Sequence, residues 1–197
     1  AYVVHLQATT KIEIDGTVDV SGMGYQGATG PGAGMTATTA LLLTGGSHGG
    51  FGYSTIPKVS AANPYDSIKT PTDMGSGGGI SSLAPTYIIG THGGGYVYLD
   101  APTGEVNLTG TILANAENNP NSANFSSAGA GGGIRIVADT LSGSGAAMQA
   151  NGGNTASDYG NGGGGRISIK YTTDSYTGGI STLLSSTAST GGTSGTK

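Results

Sequence analysis

The sequence predicts an all-β fold, a right-handed parallel β-helix (β-solenoid) with long glycine-rich loops, on three observations. Apolar residues alternate in short runs, glycine tracts stand at a constant place relative to those runs, and the chain contains ordered internal copies of one unit. Three tracts each precede an alternating segment. Gly93-Gly94-Gly95 leads into Tyr96-Val97-Tyr98-Leu99, Gly131-Gly132-Gly133 into Ile134-Arg135-Ile136-Val137, and Gly162 to Gly165 into Arg166-Ile167-Ser168-Ile169. A period of two puts Val97 and Leu99, Ile134 and Ile136, and Ile167 and Ile169 on one face. Val4 and Leu6 begin a similar unit without the glycines.

A second element follows. Lys11 to Gly22 (KIEIDGTVDVSG) matches Glu105 to Ala116 (EVNLTGTILANA), and Thr140 to Gly145 with Met148 to Gly153 forms a third copy. Each unit reads strand, short turn, strand, glycine corner, strand, long polar loop. In a solenoid, glycine supplies positive φ and close backbone approach where corners stack on corners. Asp15-Gly16 would also suit a hairpin tip, but its equivalents Thr109-Gly110 and Ser142-Gly143 suit one less well, which favours corners. No 3.6-residue apolar period runs through the chain, and only Met35 to Leu43 has the composition of a short helix.

The 197 residues read as a single domain, 1–197, with a loop-rich insertion at about 45–79 that carries Pro57, Pro64 and Pro71, and a Ser/Thr/Gly-rich tail at about 185–197. Glycine, 40 residues, is roughly one in five against a usual 7% or so, yet 35% of the chain is hydrophobic and grouped, which argues for order. Only 9% of residues are charged, and the seven Lys and Arg are dispersed, so the chain lacks the cationic cluster that nucleic acid requires. The longest aliphatic run, Ala40-Leu41-Leu42-Leu43, is far shorter than a helical membrane span. Abundant Ser, Thr and Asn suit a surface hydrated through hydroxyls and amides, the expectation for an extracellular or cell-surface protein. A first residue of Ala reads as a processed chain or an excised fragment.

The segments Gly45-Gly46-Ser47-His48-Gly49-Gly50, Tyr65-Asp66-Ser67 followed by Pro71 to Gly79, Leu141 to Gly145, Ala150 to Gly153 and Gly162 to Ile167, in that order, resemble the glycine-rich β-helical repeats of bacterial surface and adhesin-like proteins. The resemblance covers about Lys11 to Ile180. It implies a structural or adhesive role rather than a particular chemistry.

The leading functional expectation is a non-catalytic structural protein that polymerises with itself into a filament or surface layer through stacked or exchanged β-strands. Open sheet ends are templates for another chain, and the residues expected there are Val3, Val4 and Leu6 at one end and Ile180, Leu183 and Leu184 at the other. The alternative is a carbohydrate-binding adhesin module contacting extracellular glycans through Tyr25, Tyr53, Tyr65, Tyr87 and Tyr159, aromatic residues in or beside loops whose favoured use is packing at an interface. Less favoured is a polysaccharide-active enzyme, for which Glu13, Asp15, Asp19, Asp66 and Asp73 are the carboxylates to consider. No cofactor is expected. No metal site is assigned; Ca²⁺ is the metal the composition suits best, with Asp15, Asp19, Asp100 and Asp139 as loop positions open to it, whereas His48 and His92 lack the spacing of a zinc pair and are expected to bond loop backbone or to cover the end of a coil. Asn107 and Asn124 fit the N-glycosylation sequon.

Overall fold

The computed structural model describes residues 2–36, 43–53, 61–82, 90–119, 126–145, 147–155 and 160–182. Among them are ten strands: β1 (Val3–Gln7), β2 (Lys11–Ile14), β3 (Thr17–Asp19), β4 (Tyr96–Leu108), β5 (Thr111–Leu113), β6 (Gly133–Ser142), β7 (Ala147–Gln149), β8 (Arg166–Lys170), β9 (Thr173–Asp174) and β10 (Gly179–Ser181). They form two sheets in which every pairing is parallel. The six-stranded sheet runs β1-β4-β6-β8, with β2 beside β4 and β9 beside β6; the four-stranded sheet runs β10-β7-β5-β3.

Register pairs the internal copies of the sequence residue for residue. Val4, Val97, Ile134 and Ile167 form one row, and Leu6, Leu99, Ile136 and Ile169 a second. Ile12, Val106 and Leu141 form a third row, and Val18, Ile112, Met148 and Ile180 a fourth. These rows supply the core between the sheets, where Val97, Leu99, Ile134, Ile136 and Met148 are fully buried. Each such side chain stabilises the fold by about 1.5–3 kcal/mol. A one-residue slip would turn every row to solvent, so burial fixes the register.

The expected right-handed β-helix is corrected by this arrangement. The described strands make two sheets of six and four strands rather than an evident closed coil, and between β3 and β4 the described chain contributes no strand to either sheet. The glycine tracts explain why. They do not simply turn corners between strands; they build a hydrogen-bonded lattice beside the sheets. Among the described residues positive φ occurs at only a few glycines, such as Gly22 and Gly143.

The lattice has a period of three. Gly75 N–H donates to Gly94 O and Gly78 N–H to Thr91 O, so the 75–79 segment returns to the same neighbour every third residue. On another side the carbonyls of Ser76 and Gly79 accept from Ala130 N–H and Ser127 N–H, and on a third the carbonyls of Gly75 and Gly78 accept from Tyr25 N–H and Ala28 N–H. Segments 127–131 and 160–163 repeat the pattern, with Ala128 N–H donating to Gly160 O and Gly131 N–H to Gly163 O. A strand meets its neighbours with a period of two; a threefold backbone of the polyproline II type has a period of three and no internal hydrogen bonds, leaving its peptide groups for neighbours all round. Such segments approach too closely for side chains. A Cβ on Gly131 would lie far inside contact distance of the Ala150 carbonyl, and one on Gly162 would do the same to the Gly129 carbonyl.

Candidate functional site: two open edges and a buried polar cluster

The strand order leaves β1, β2 and β3 at one end of the two sheets and β8, β9 and β10 at the other. At the first end Val3 is 57% exposed and Leu6 39%, while Val4 and Val18 are half-buried against the core. At the second, a cavity of about 230 Å³ opens between the sheets, lined by Ile167, Ile169, Tyr171, Asp174, Tyr176 and Ile180. Val3, Val4, Leu6 and Ile180 lie at the two ends, while Leu183 and Leu184 lie outside the described residues. Asp174 continues the inward row of Ile12, Val106 and Leu141, placing a carboxylate where the pattern calls for an apolar residue. It accepts the N–H of Tyr176 at 2.9 Å.

The outward face of the larger sheet carries a ladder. His5 stacks on Tyr98 with ring centroids 4.5 Å apart, and the Arg135 guanidinium lies 4.6 Å from the centroid of the same ring. Register makes these three residues neighbours on β1, β4 and β6.

The loop-rich insertion is tied down by a polar cluster assembled from distant parts of the chain. His48 is fully buried; its Nδ1 lies 2.8 Å from Gly131 O and its Nε2 3.4 Å from Asp66 Oδ2. Both ring nitrogens thus face acceptors. Asp66 holds a left-handed backbone conformation, φ 70°, and its carboxylate accepts the backbone N–H groups of Ser67, Thr72 and Asp73. Burial pushes its pKa up, but the hydrogen bonds from His48 and from these backbone groups together outweigh burial and hold it at about 2. Beside it, Arg166 Nε donates to Tyr65 O at 2.8 Å, and the Tyr65 hydroxyl donates to Met74 O while accepting from Ser76 Oγ. Burial raises the Tyr65 pKa strongly and that of Tyr96, whose hydroxyl donates to Pro71 O at 2.6 Å, to about 12.

The remaining expected site residues are scattered. Tyr25 donates its hydroxyl to Asp73 Oδ1 at 2.9 Å, and Tyr53 is half-buried with its N–H on Asn161 O. Tyr87, Tyr159 and Asn124 lie outside the described residues. The Nδ2 of Asn107, the atom a glycan would occupy, donates to Ser142 Oγ at 2.7 Å in the middle of the sheet. Asp19 accepts the N–H of Ser21, and Asp100 lies 3.3 Å from the Gln7 amide that donates to it. Among the described residues no three His, Asp or Glu groups converge as metal ligands. His92 Nδ1 pairs with Glu117 Oε2 at 2.8 Å. The His48 cluster has no local sequence signal, since its partners lie 18 and 83 residues away; a histidine in a Gly-Gly-Ser-His-Gly-Gly tract is the trace it leaves.

No family model, curated protein or solved structure matches this chain.

Proposed function

We propose that this protein is a non-catalytic extracellular structural subunit that assembles with further copies of itself into a filament or layer. The observation that carries this reading is the pair of unlike ends, open among the described residues, on sheets that are parallel throughout. A parallel sheet has the same strand direction at both edges, so the first edge of one copy fits the last edge of the next without reversing any strand. The inward rows that begin with Val4, Leu6 and Val18 end with Ile167, Ile169 and Ile180, so the same apolar faces are offered at both ends. The buried ionisable groups support a structural use. His48, Asp66, Tyr65 and Arg166 all bond the protein's own backbone or one another. The extracellular placement rests on the low charge and the hydroxyl- and amide-rich composition.

Sedimentation velocity across about 1–100 μM, with negative-stain imaging of the same samples, tests the proposal. Concentration-dependent oligomers or filaments are expected. A single monomeric boundary over the whole range, with no fibres or sheets on the grid, overturns it.

A further inference from the structure

We infer that the copies join head to tail in one register, with β1 of one molecule pairing in parallel with β8 of the next so that Val4 falls opposite Ile167, His5 opposite Ser168, Leu6 opposite Ile169 and Gln7 opposite Lys170. This deepens the self-assembly reading and rests on it.

The backbone sets the phase. Tyr96 N–H donates to Tyr2 O and Ala8 N–H donates to Asp100 O, so the even-numbered residues of β1 turn their peptide groups toward β4. Alternate residues of a strand face opposite edges, which leaves Val3, His5 and Gln7 facing outward. At the other end Arg166 N–H donates to Gly132 O, so Ile167 and Ile169 turn theirs to the open edge. Continuing the offset that relates β1 to β4, β4 to β6 and β6 to β8 brings these groups together. The N–H groups of the incoming His5 and Gln7 reach the carbonyls of Ile167 and Ile169, and the N–H groups of Ile167 and Ile169 reach the carbonyls of Val3 and His5.

The same translation places β3 on β10, with the incoming Val18 on Ile180, and seats Leu6 and Val18 at the mouth of the cavity between Ile169, Tyr176 and Ile180. At one row the fit is imperfect: the incoming Ile12 meets Asp174. An inward-facing charge is a known guard on an open edge, and it limits the affinity without altering the register.

The chain has no cysteine, so engineered thiols report contacts without interference. Register partners on adjacent strands have Cα atoms about 4.8 Å apart, within the roughly 4.4–6.8 Å range a disulfide spans. Equal amounts of His5→Cys and Ser168→Cys proteins are mixed, oxidised and separated without reductant, alongside Gln7→Cys with Lys170→Cys. His5→Cys with Lys170→Cys, two residues out of register, serves as the control, and each variant's oligomers are measured by sedimentation before oxidation. The in-register mixtures are expected to give covalent dimers at least tenfold more abundant than the control mixture or any single variant alone. Oligomers that persist while His5→Cys links to itself, or while all mixtures link equally, overturn the register and leave assembly standing. Absence of oligomers in the unsubstituted protein overturns both.

Discussion

His48 and Gly131, 83 residues apart in sequence, share a buried hydrogen bond of 2.8 Å between the imidazole Nδ1 and the glycine carbonyl. The bond joins the insertion to the glycine lattice at a residue that has no room for a side chain. Its other ring nitrogen reaches Asp66, so one histidine connects the lattice to the loop that covers it.

The lattice makes glycine substitutions unequal. A Cβ at Gly131 would run into the backbone of Ala150 and Gly165, whereas at Gly16 nothing lies within 4 Å and φ is not positive. Gly131→Ala is expected to lower stability by about 3 kcal/mol or more, because rigid backbone must move. That corresponds to a fall in Tm of roughly 6–12 °C for a chain of this size. Gly16→Ala is expected to leave Tm unchanged or raise it slightly by restricting the unfolded chain. Equal losses at both positions by calorimetry would contradict the lattice packing.

Asp66 gives the protein an acid-sensitive component. Its folded pKa of about 2 lies below the ordinary 3.8, so the unfolded chain takes up the proton first as pH falls. The stabilisation is complete above about pH 4–5 and is lost as pH falls through 2, amounting to about 1–2 kcal/mol after allowance for solvent screening. Asp66→Asn keeps a residue type that tolerates the left-handed backbone but removes the charge. Thermal melts from pH 6 to pH 1.5 are expected to show a smaller acid-induced fall in Tm for this variant than for the parent. Parallel curves would remove Asp66 from the account.

Asp174 restrains association on the proposed interface. Replacing it with Leu completes the inward row of Ile12, Val106 and Leu141. Asp174→Leu is expected to shift sedimentation toward larger species by about tenfold or more in the association constant, consistent with about 1.4 kcal/mol from apolar burial. Weaker association than the parent would show that the carboxylate makes a favourable contact across the joint.

The His5–Tyr98–Arg135 ladder contributes to the outer face of the larger sheet. Tyr98→Ala removes both the ring stack and the cation–π contact and is expected to cost about 1–2 kcal/mol, or some 2–8 °C in Tm. Tyr98→Phe retains the ring and is expected to lose less than half of that. An equal loss in both variants would assign the effect to the hydroxyl.

Much of the strand pattern was legible in the chain. A period of two and three glycine-led copies place Val97, Ile134 and Ile167 in one row, because a pleated strand buried on one face must alternate. The equivalence of Lys11, Glu105 and Thr140 follows from the same copies. Val4, Leu6 and Ile180 belong to the first and last copies, which among the described residues have a strand neighbour on one side only. The glycine tracts depart in part from what the sequence predicts. Close backbone approach was expected of them, but at corners with positive φ, whereas most serve a threefold lattice.

By itself the sequence determined the strands from β1 to β8, their inward faces and the register of one copy on another, all of which follow from local alternation repeated along the chain. The tertiary structure alone decided that the strands form two parallel sheets beside a glycine lattice, and that His48, Asp66, Tyr65 and Arg166 converge. A glycine has no side chain to record which neighbours its peptide groups will bond. A buried histidine's partners are set by where distant segments come to rest, and neither leaves a period in the chain.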